Sequence, residues 1–285
     1  MHLARRPGLS VRVRVREHAA GAFMAREDRV ATEEPLEIRL AWPGRPAERV
    51  AVTMRTPGHD FELATGLLFA EGLLTPSLLG SVGYCTDRRL SPEQEFNVVT
   101  VSLQAPPPRS PSTRSDTVTA ASSACGVCGA DSIEEVLGLT AVQGEPGTDP
   151  SKIGGDVLRA LPDRLRESQR VFASTGGLHA AGLFTTTGEL MLLREDIGRH
   201  NAVDKVVGAR VLEGLPPAAP LLCVSGRIGF EVVQKAVAAG IGVLAGLGAP
   251  SSLAVRLADQ AGLGLVGFLS AQRFVVYAGS DRIGV

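Results

Sequence analysis

PLLCVSGRIGFEVVQKAVAAGIGVLAGLGAPSSLAVRLADQAGLGLVGFLS, residues 220–270, alternates two patterns. The short apolar runs PLLCVS (220–225), IGVLAG (241–246) and LGLVGFLS (263–270) read as strands bounded by glycine. Between them, Phe230–Ala239 and Ser252–Ala261 repeat apolar residues at helical spacing. Strand and helix in turn predict parallel strands covered by helices, the α/β class. Working outward, RVFAS (170–174) reads as another strand, GLFTTTGELMLL (182–193) as a hairpin around Thr187 and Gly188, and Asn201–Leu212 as a helix. In the first half, Val11–Val15 alternates valine with arginine, the mark of a half-exposed edge strand. LEIRLAW (36–42), RVAVTMRT (49–56) and FNVVTVSL (96–103) predict three more strands. A helix is expected from Asp60, read as its N-cap, with Phe61, Ala64, Leu67 and Leu68 on one face and Gly72 near its stop.

At 285 residues the chain exceeds the roughly 150 taken as a prior for one domain. Its 44% hydrophobic and 21% charged residues are ordinary for a globular protein, with only 4% aromatics and 33 glycines. A formal net charge of -1 leaves no basic footprint for nucleic acid or an anionic membrane. The N-terminal arginines precede no apolar run, so no secretory signal is read there. Ala236–Val255 is uncharged but interrupted by Pro250 and two serines, which argues against a membrane span. These features point to a cytoplasmic protein with reduced thiols.

Ligands of an open α/β sheet gather beyond the carboxyl ends of its strands, where helix N-termini offer free N–H groups. Three loops have that character. REDIGRHNAVDK (194–205) carries Arg194, Asp196, Arg199, His200, Asn201 and Lys205 around Gly198; SGRIGFE (225–231) brackets Arg227 with Gly226 and Gly229 after Ser225; LGAPSS spans 247–252. Glycines let amides approach an anion and arginines grip a phosphate with two bonds, so together they suggest a phosphorylated, nucleotide-sized ligand. Neither a Walker A nor a Rossmann fingerprint is present. His179, in STGGLHAAG (174–182), is either part of this site or a packed hairpin histidine.

Between Gln104 and Ser123 the composition turns to Pro, Ser and Thr, which reads as a mobile loop. At its far end SACGVCGAD (123–131) places Cys125 and Cys128 three positions apart, and Ser132 with Glu135 forms a capping box for a helix from about Ile133. Zinc needs about four ligands, and Cys85 and Cys223 stand alone, Cys223 inside an apolar strand. Zinc deaminases pair an H-x-E with P-C-x-x-C, whereas residue 124 is alanine and His59 opens HDFE. A disulfide-exchange pair would directly follow a strand. Sulfur carriage fits better: it requires an exposed thiolate on a movable segment, and a following helix N-terminus takes a thiol from about 8.5 toward roughly 3.5–7.5.

SACGVCG, STGGLHAAGLF, REDIGRHNAVDKVVG and VSGRIGFEVVQKAVAAGI, preceded by RVATEEPLEIRL and MRTPGHDFELATGLLFAEG, resemble the formate dehydrogenase accessory sulfurtransferase family, FdhD/NarQ, from about Val30 onward. The resemblance implies a cytidine-deaminase-like three-layer domain over 124–285, including the CxxC segment, and a smaller α/β region over 1–123. It implies a homodimeric sulfurtransferase that takes persulfide sulfur from a cysteine desulfurase to molybdenum bis(molybdopterin guanine dinucleotide) for formate dehydrogenase. That cofactor is bound as substrate, and no structural metal is expected. Cys125 would bear the persulfide with Cys128 assisting, and Phe268, Leu269, Ser270, Ala271, Gln272 and Arg273 would join His179, Arg199, His200, Ser225, Gly226 and Arg227 in binding it. The competing readings are a non-catalytic chaperone for the same cofactor and a small zinc-stapled module.

Overall fold

The computed structural model describes residues 6–86, 90–91, 94–111, 137–138, 152–215 and 219–284. Cys125, Cys128 and Ile133, the expected start of a helix, lie outside them, while 137–138 are helical.

The first half begins with an antiparallel ribbon, β1 (Ser10–Ala19) and β2 (Ala22–Ala31), turning at Ala20 and Gly21, both at positive φ. β2 was not evident in the sequence, because its charges follow no period of two. Next come β3 (Glu34–Trp42), β4 (Arg45–Arg55), β5 (Leu79–Tyr84) and β6 (Val98–Leu103), which form one sheet in the order β4-β3-β6-β5. Helix α1 (Asp60–Ala70) lies between β4 and β5 in the chain. Its N-cap is His59, at φ 57, rather than Asp60. Asp60 is buried, its carboxylate accepting from Arg55 Nε at 3.0 Å and from Tyr84 Oη at 2.8 Å. That ion pair ties the end of β4 to the helix start and to β5.

The second half contains β7 (Ile153–Gly154), α2 (Gly155–Ser168), α3 (Arg170–Thr175), β8 (His179–Phe184), β9 (Leu190–Asp196), α4 (Arg199–Leu212), β10 (Ala219–Val224), α5 (Phe230–Ala238), β11 (Ile241–Gly246), α6 (Ser252–Gln260), β12 (Gly264–Gly267), β13 (Val275–Ala278) and β14 (Ile283–Gly284). Six of these strands form a sheet ordered β13-β12-β11-β10-β8-β9, in which β10, β11 and β12 run parallel. The short β14 pairs with β7.

Strand alternation explains the layers. On β10, Leu221 and Cys223 face Leu158, Leu161 and Leu165 of α2, while Leu222 and Val224 face the cluster containing α4, α5 and α6. Helices therefore cover both faces, giving a three-layer α/β arrangement. The α4 side also takes in Leu63, Leu67 and Leu68 of α1 and Leu36, Ile38, Val99 and Val101 of the four-stranded sheet, so one core spans both halves. Gly66 of α1 and Gly208 of α4 meet there. A Cβ at Gly66 would stand 2.7 Å from the Asp204 carbonyl carbon and 2.8 Å from Gly208 N.

Residues 170–174 are helical in α3, not extended as their sequence suggested. The Glu195 carboxylate, arriving on β9, accepts from the N–H groups of Val171 at 3.0 Å and Phe172 at 2.7 Å, and Gly176 at φ 68 closes the other end. A cap delivered from 23 residues away leaves no trace in the local pattern.

α1 is held to β9 by Glu62, whose carboxylate accepts from Arg194 Nη2 at 2.8 Å and pairs with His59 Nδ1 at 3.0 Å. Burial alone would raise the Glu62 carboxyl, but the hydrogen bonds from Arg194 and His59 prevail and take it down to about 2. A carboxyl depressed in the folded state binds fewer protons than the unfolded chain, so its contribution is complete above about pH 4.5 and lost as pH falls toward 2. Arg194→Gln is expected to flatten the acid limb of a stability-versus-pH profile in that window, measured by urea unfolding. An unchanged limb would show that the pair contributes nothing to stability.

Candidate functional site

The carboxyl ends of β10, β11 and β12 are zipped together by main-chain bonds. Leu247 N donates to Val224 O (3.1 Å), Gly248 N to Gly226 O (3.2 Å) and Ile228 N to Ala249 O (3.0 Å). Phe268 N donates to Gly248 O (3.2 Å) and Leu269 N to Gly246 O (3.1 Å). A Cβ at Gly248 would lie 2.8 Å from both Arg227 Cα and Gly226 O, so only glycine permits this approach. The 247–252 loop was read as a ligand loop. Its Gly248 is bonded within the protein through both N and O, and Ser251 caps α6 by accepting from Ala254 N at 3.3 Å.

Against this seam stand the start of β8 and the N-terminus of α4. Ser225 joins β10 to β8 in both directions: its N donates to Ala180 O at 3.0 Å and its Oγ accepts from Ala180 N at 2.9 Å. His179 and Arg199 therefore come next to Gly226. A Cβ there would be 3.3 Å from His179 Nδ1 and 3.6 Å from Arg199 Cβ and Cδ. Burial, then the charges of Arg199 and Arg227, hold the half-buried His179 below the usual histidine range.

The Arg199 Nε is buried with no hydrogen-bond partner among the described residues. A guanidinium N–H out of water without an acceptor is costly, and an oxyanion would satisfy it. It stands on the first residue of a 14-residue helix, whose dipole adds to the attraction for anions.

Four other residues of the 194–205 loop turn inward. Arg194 is engaged with Glu62, as above. Asp196, fully buried, pairs with Lys205 Nζ at 2.7 Å and accepts from Thr56 N, Gly198 N and Asn201 Nδ2. Asn201 Nδ2 also donates to Met54 O at 2.7 Å. This polar cluster bolts the loop to β4 and fixes the start of α4, leaving Arg199 and His200 as its ligand-facing candidates.

His200 Nε2 lies 3.2 Å from Glu231 Oε2 at the start of α5. Burial, with Arg199, Lys235 and His179 adding like charge, takes His200 down to about 3, so it is neutral at pH 7. Burial raises Glu231. One turn below, Lys235 Nζ meets the Asp204 carboxylate at 2.7 and 2.9 Å, fully buried. The sequence reading passed over Glu231 and Lys235. Their only local signal is the i, i+4 spacing within the first turns of a helix.

In the 268–273 segment the residues divide. Leu269 is buried in the core on the α2 side, while Phe268, at φ 50, exposes its ring with the Arg273 guanidinium carbon 5.8 Å from the ring centre. Ser270 Oγ donates to Arg273 O at 3.1 Å, closing a turn that displays Ala271 and Gln272 to solvent. The other described thiols are set apart. Cys223 is buried, which pushes its thiol up to about 12, and Cys85 lies 3.8 Å from Arg39 Nη1. No helix among the described residues is long and apolar enough to cross a membrane.

A family model described as the FdhD/NarQ family matches residues 31–284. The sulfur carrier protein FdhD of Streptomyces coelicolor is 49% identical over 276 residues, covering 96% of this chain and 94% of its own. The protein of that name from Mycobacterium tuberculosis is 47% identical (95% and 97% covered), and that from Sulfurisphaera tokodaii 42% (90% and 92%). In three dimensions the chain is similar to a crystal structure described as a formate dehydrogenase accessory protein from Desulfotalea psychrophila. That match has a TM-score of 0.71 at 22% identity and covers 97% of this chain and 100% of that one. Because the family match runs from the last residue of β2 through β14, taking in the four- and six-stranded sheets and the seam at the carboxyl ends of β10, β11 and β12, the chain belongs to the FdhD/NarQ family.

Proposed function

We propose that this protein is a sulfur carrier that delivers persulfide sulfur from a cysteine desulfurase to molybdenum bis(molybdopterin guanine dinucleotide) destined for formate dehydrogenase. The relatives named as sulfur carriers support the chemistry. The observation that carries the binding half is the buried, unpartnered Arg199 Nε beside Gly226, at the N-terminus of α4.

In this reading the Cys125 thiolate attacks the terminal sulfur of the donor's persulfide. A new S–S bond forms on Cys125, the donor's S–S bond breaks, and the donor cysteine leaves as a thiolate. The cargo's phosphates sit against Arg199 and Arg227, with neutral His179 offering an N–H donor without adding charge, while His200 is oriented by Glu231 beside them. The Phe268 ring and Arg273 give a flat face on which a base can stack. Cys128 has two routes open to it. It holds the persulfide by a hydrogen bond, or it attacks the inner sulfur, expelling sulfide and leaving a Cys125–Cys128 disulfide for a thiol reductant to restore.

GDP is a probe for one nucleotide half of the cargo. Arg199→Gln is expected to weaken GDP binding by roughly 30-fold, the loss of one charge-assisted bond of about 2 kcal/mol, measured by equilibrium dialysis at fixed salt. Binding equal to the wild type would remove Arg199 from the site.

A further inference from the structure

A carboxylate stands beside the unanswered Arg199. Glu231 belongs to the first turn of α5, and its Oε2 lies 3.2 Å from Nε2 of His200, the residue after Arg199 on α4. The two side chains are only 17% and 18% exposed, so water screens their surroundings little. An acid in a first turn ordinarily serves the dipole of its own helix. This one is turned across to the neighbouring helix, while Gly229 caps α5 with no side-chain bond. Lys235, one turn on, is already matched by Asp204, whose two oxygens lie 2.7 and 2.9 Å from its Nζ. Burial raises the Glu231 carboxyl, with Lys235 and Arg199 opposing it, so Glu231 and Arg199 are within electrostatic range of each other.

The positive side of the site is small. Arg199 and Arg227 both act on His179, which sets the two guanidinium groups around one point beside Gly226. His179 and His200 are held below the usual histidine range and add no charge at neutral pH. Two guanidinium groups against one carboxylate leave a slight positive surplus. A terminal phosphate carries about -1.5 to -2 charges at neutral pH, whereas an esterified phosphate has lost its second ionisable oxygen and carries a single charge. Arginines alone would favour the more highly charged ligand. A half-buried carboxylate among them opposes each surplus negative charge, which is discrimination by repulsion. In the sulfur-carrier reading the cargo's phosphates are all esterified, as in any dinucleotide. Free GDP and GTP present the same base and ribose but end in a terminal phosphate.

We propose that Glu231 is a selectivity residue of the cargo site, a fixed negative charge that admits esterified pyrophosphates and turns away nucleotides ending in a free phosphate. The inference rests on the sulfur-carrier reading above. The test compares GDP with its β-methyl ester, the smallest esterified pyrophosphate of the same nucleoside. Binding to the full-length wild type, Glu231→Gln and Glu231→Asp is measured by equilibrium dialysis at fixed salt and about pH 8, where the terminal phosphate is fully ionised. Glutamine keeps the side-chain length and an oxygen that accepts from His200 Nε2–H, so it removes the charge and little else. In Glu231→Gln, GDP is expected to bind roughly tenfold more tightly and the methyl ester at most about threefold more tightly, because the esterified phosphate meets the carboxylate with about half the charge. Glu231→Asp, which keeps the charge, should hold the ratio of the two affinities within about threefold of wild type.

The wild type itself should bind the methyl ester at least as tightly as GDP, and a wild type that prefers GDP would overturn the proposal without any variant. Equal gains for the two ligands in Glu231→Gln would also overturn it. So would a lowered unfolding midpoint with both affinities unchanged, which would leave Glu231 an acid serving its helix dipole only. Weaker binding of both ligands would make Glu231 a positioning residue for His200 and equally remove the selectivity role. Failure of the wild type to bind either ligand would sink the binding half of the sulfur-carrier reading. A wild type that binds both, with a ratio that Glu231→Gln leaves unchanged, sinks the selectivity role alone, so the two fail separately.

Discussion

Gly208→Ala is expected to destabilise the protein by about 3 kcal/mol, the upper range for overpacking. The added methyl would stand 2.6 Å from the Glu62 carbonyl carbon and 2.8 Å from Gly66 N. These are backbone atoms of α1, so no side chain can turn aside, and relief requires the two helices to separate. Their separation would disturb more than apolar packing. The Glu62 bond to Arg194 and the buried Asp204 to Lys235 pair both depend on where α1 and α4 stand. Set against a typical stability of about 5–15 kcal/mol, such a loss shifts the urea midpoint substantially. The reciprocal Gly66→Ala should behave alike, whereas Gly44→Ala, where nothing lies within 4 Å but φ is 82, should cost only about 1 kcal/mol. Equal midpoints for Gly208→Ala and wild type would mean that the helices do not cross at this distance.

The α/β class, the parallel strands β10 to β12 and the helices between them were legible because each element buries its own apolar period. What escaped was set by distant residues. Val171 and Phe172 look like strand formers, yet the Glu195 carboxylate makes their segment helical. Asp60 looks like a cap, yet it is spent on Arg55 and Tyr84. In the 194–205 loop the charged residues read alike in sequence. Only the fold shows that Asp196 and Lys205 neutralise each other in the core while Arg199 keeps an unanswered donor. In the 247–252 loop Gly248 serves close main-chain packing, a use of glycine that sequence alone does not separate from anion binding. Arg12, Arg14 and Arg16 showed as an alternation, but their cross-strand partner Arg29 emerged only with the register.

The sulfur-carrier account makes its largest demand on one atom, the Cys125 sulfur. Cys223 is buried with its thiol pushed up to about 12, which makes it a poor nucleophile, and Cys85 lies in the N-terminal half beside Arg39. On the proposed reading the chemistry falls to the Cys125 and Cys128 pair. Cys125→Ala is accordingly expected to abolish sulfur loading outright while leaving GDP affinity at the wild-type value. Cys128→Ala should still load, and its failure to pass sulfur onward would identify the disulfide-forming route. The most direct measurement is intact-mass spectrometry after incubation with a cysteine desulfurase and cysteine, for wild type, Cys125→Ala and Cys128→Ala. The account predicts a gain of about 32 Da, one sulfur atom, reversed by a thiol reductant and missing only without Cys125. No gain in the wild type, with GDP still bound, would contradict it and leave a cofactor chaperone that performs no sulfur chemistry.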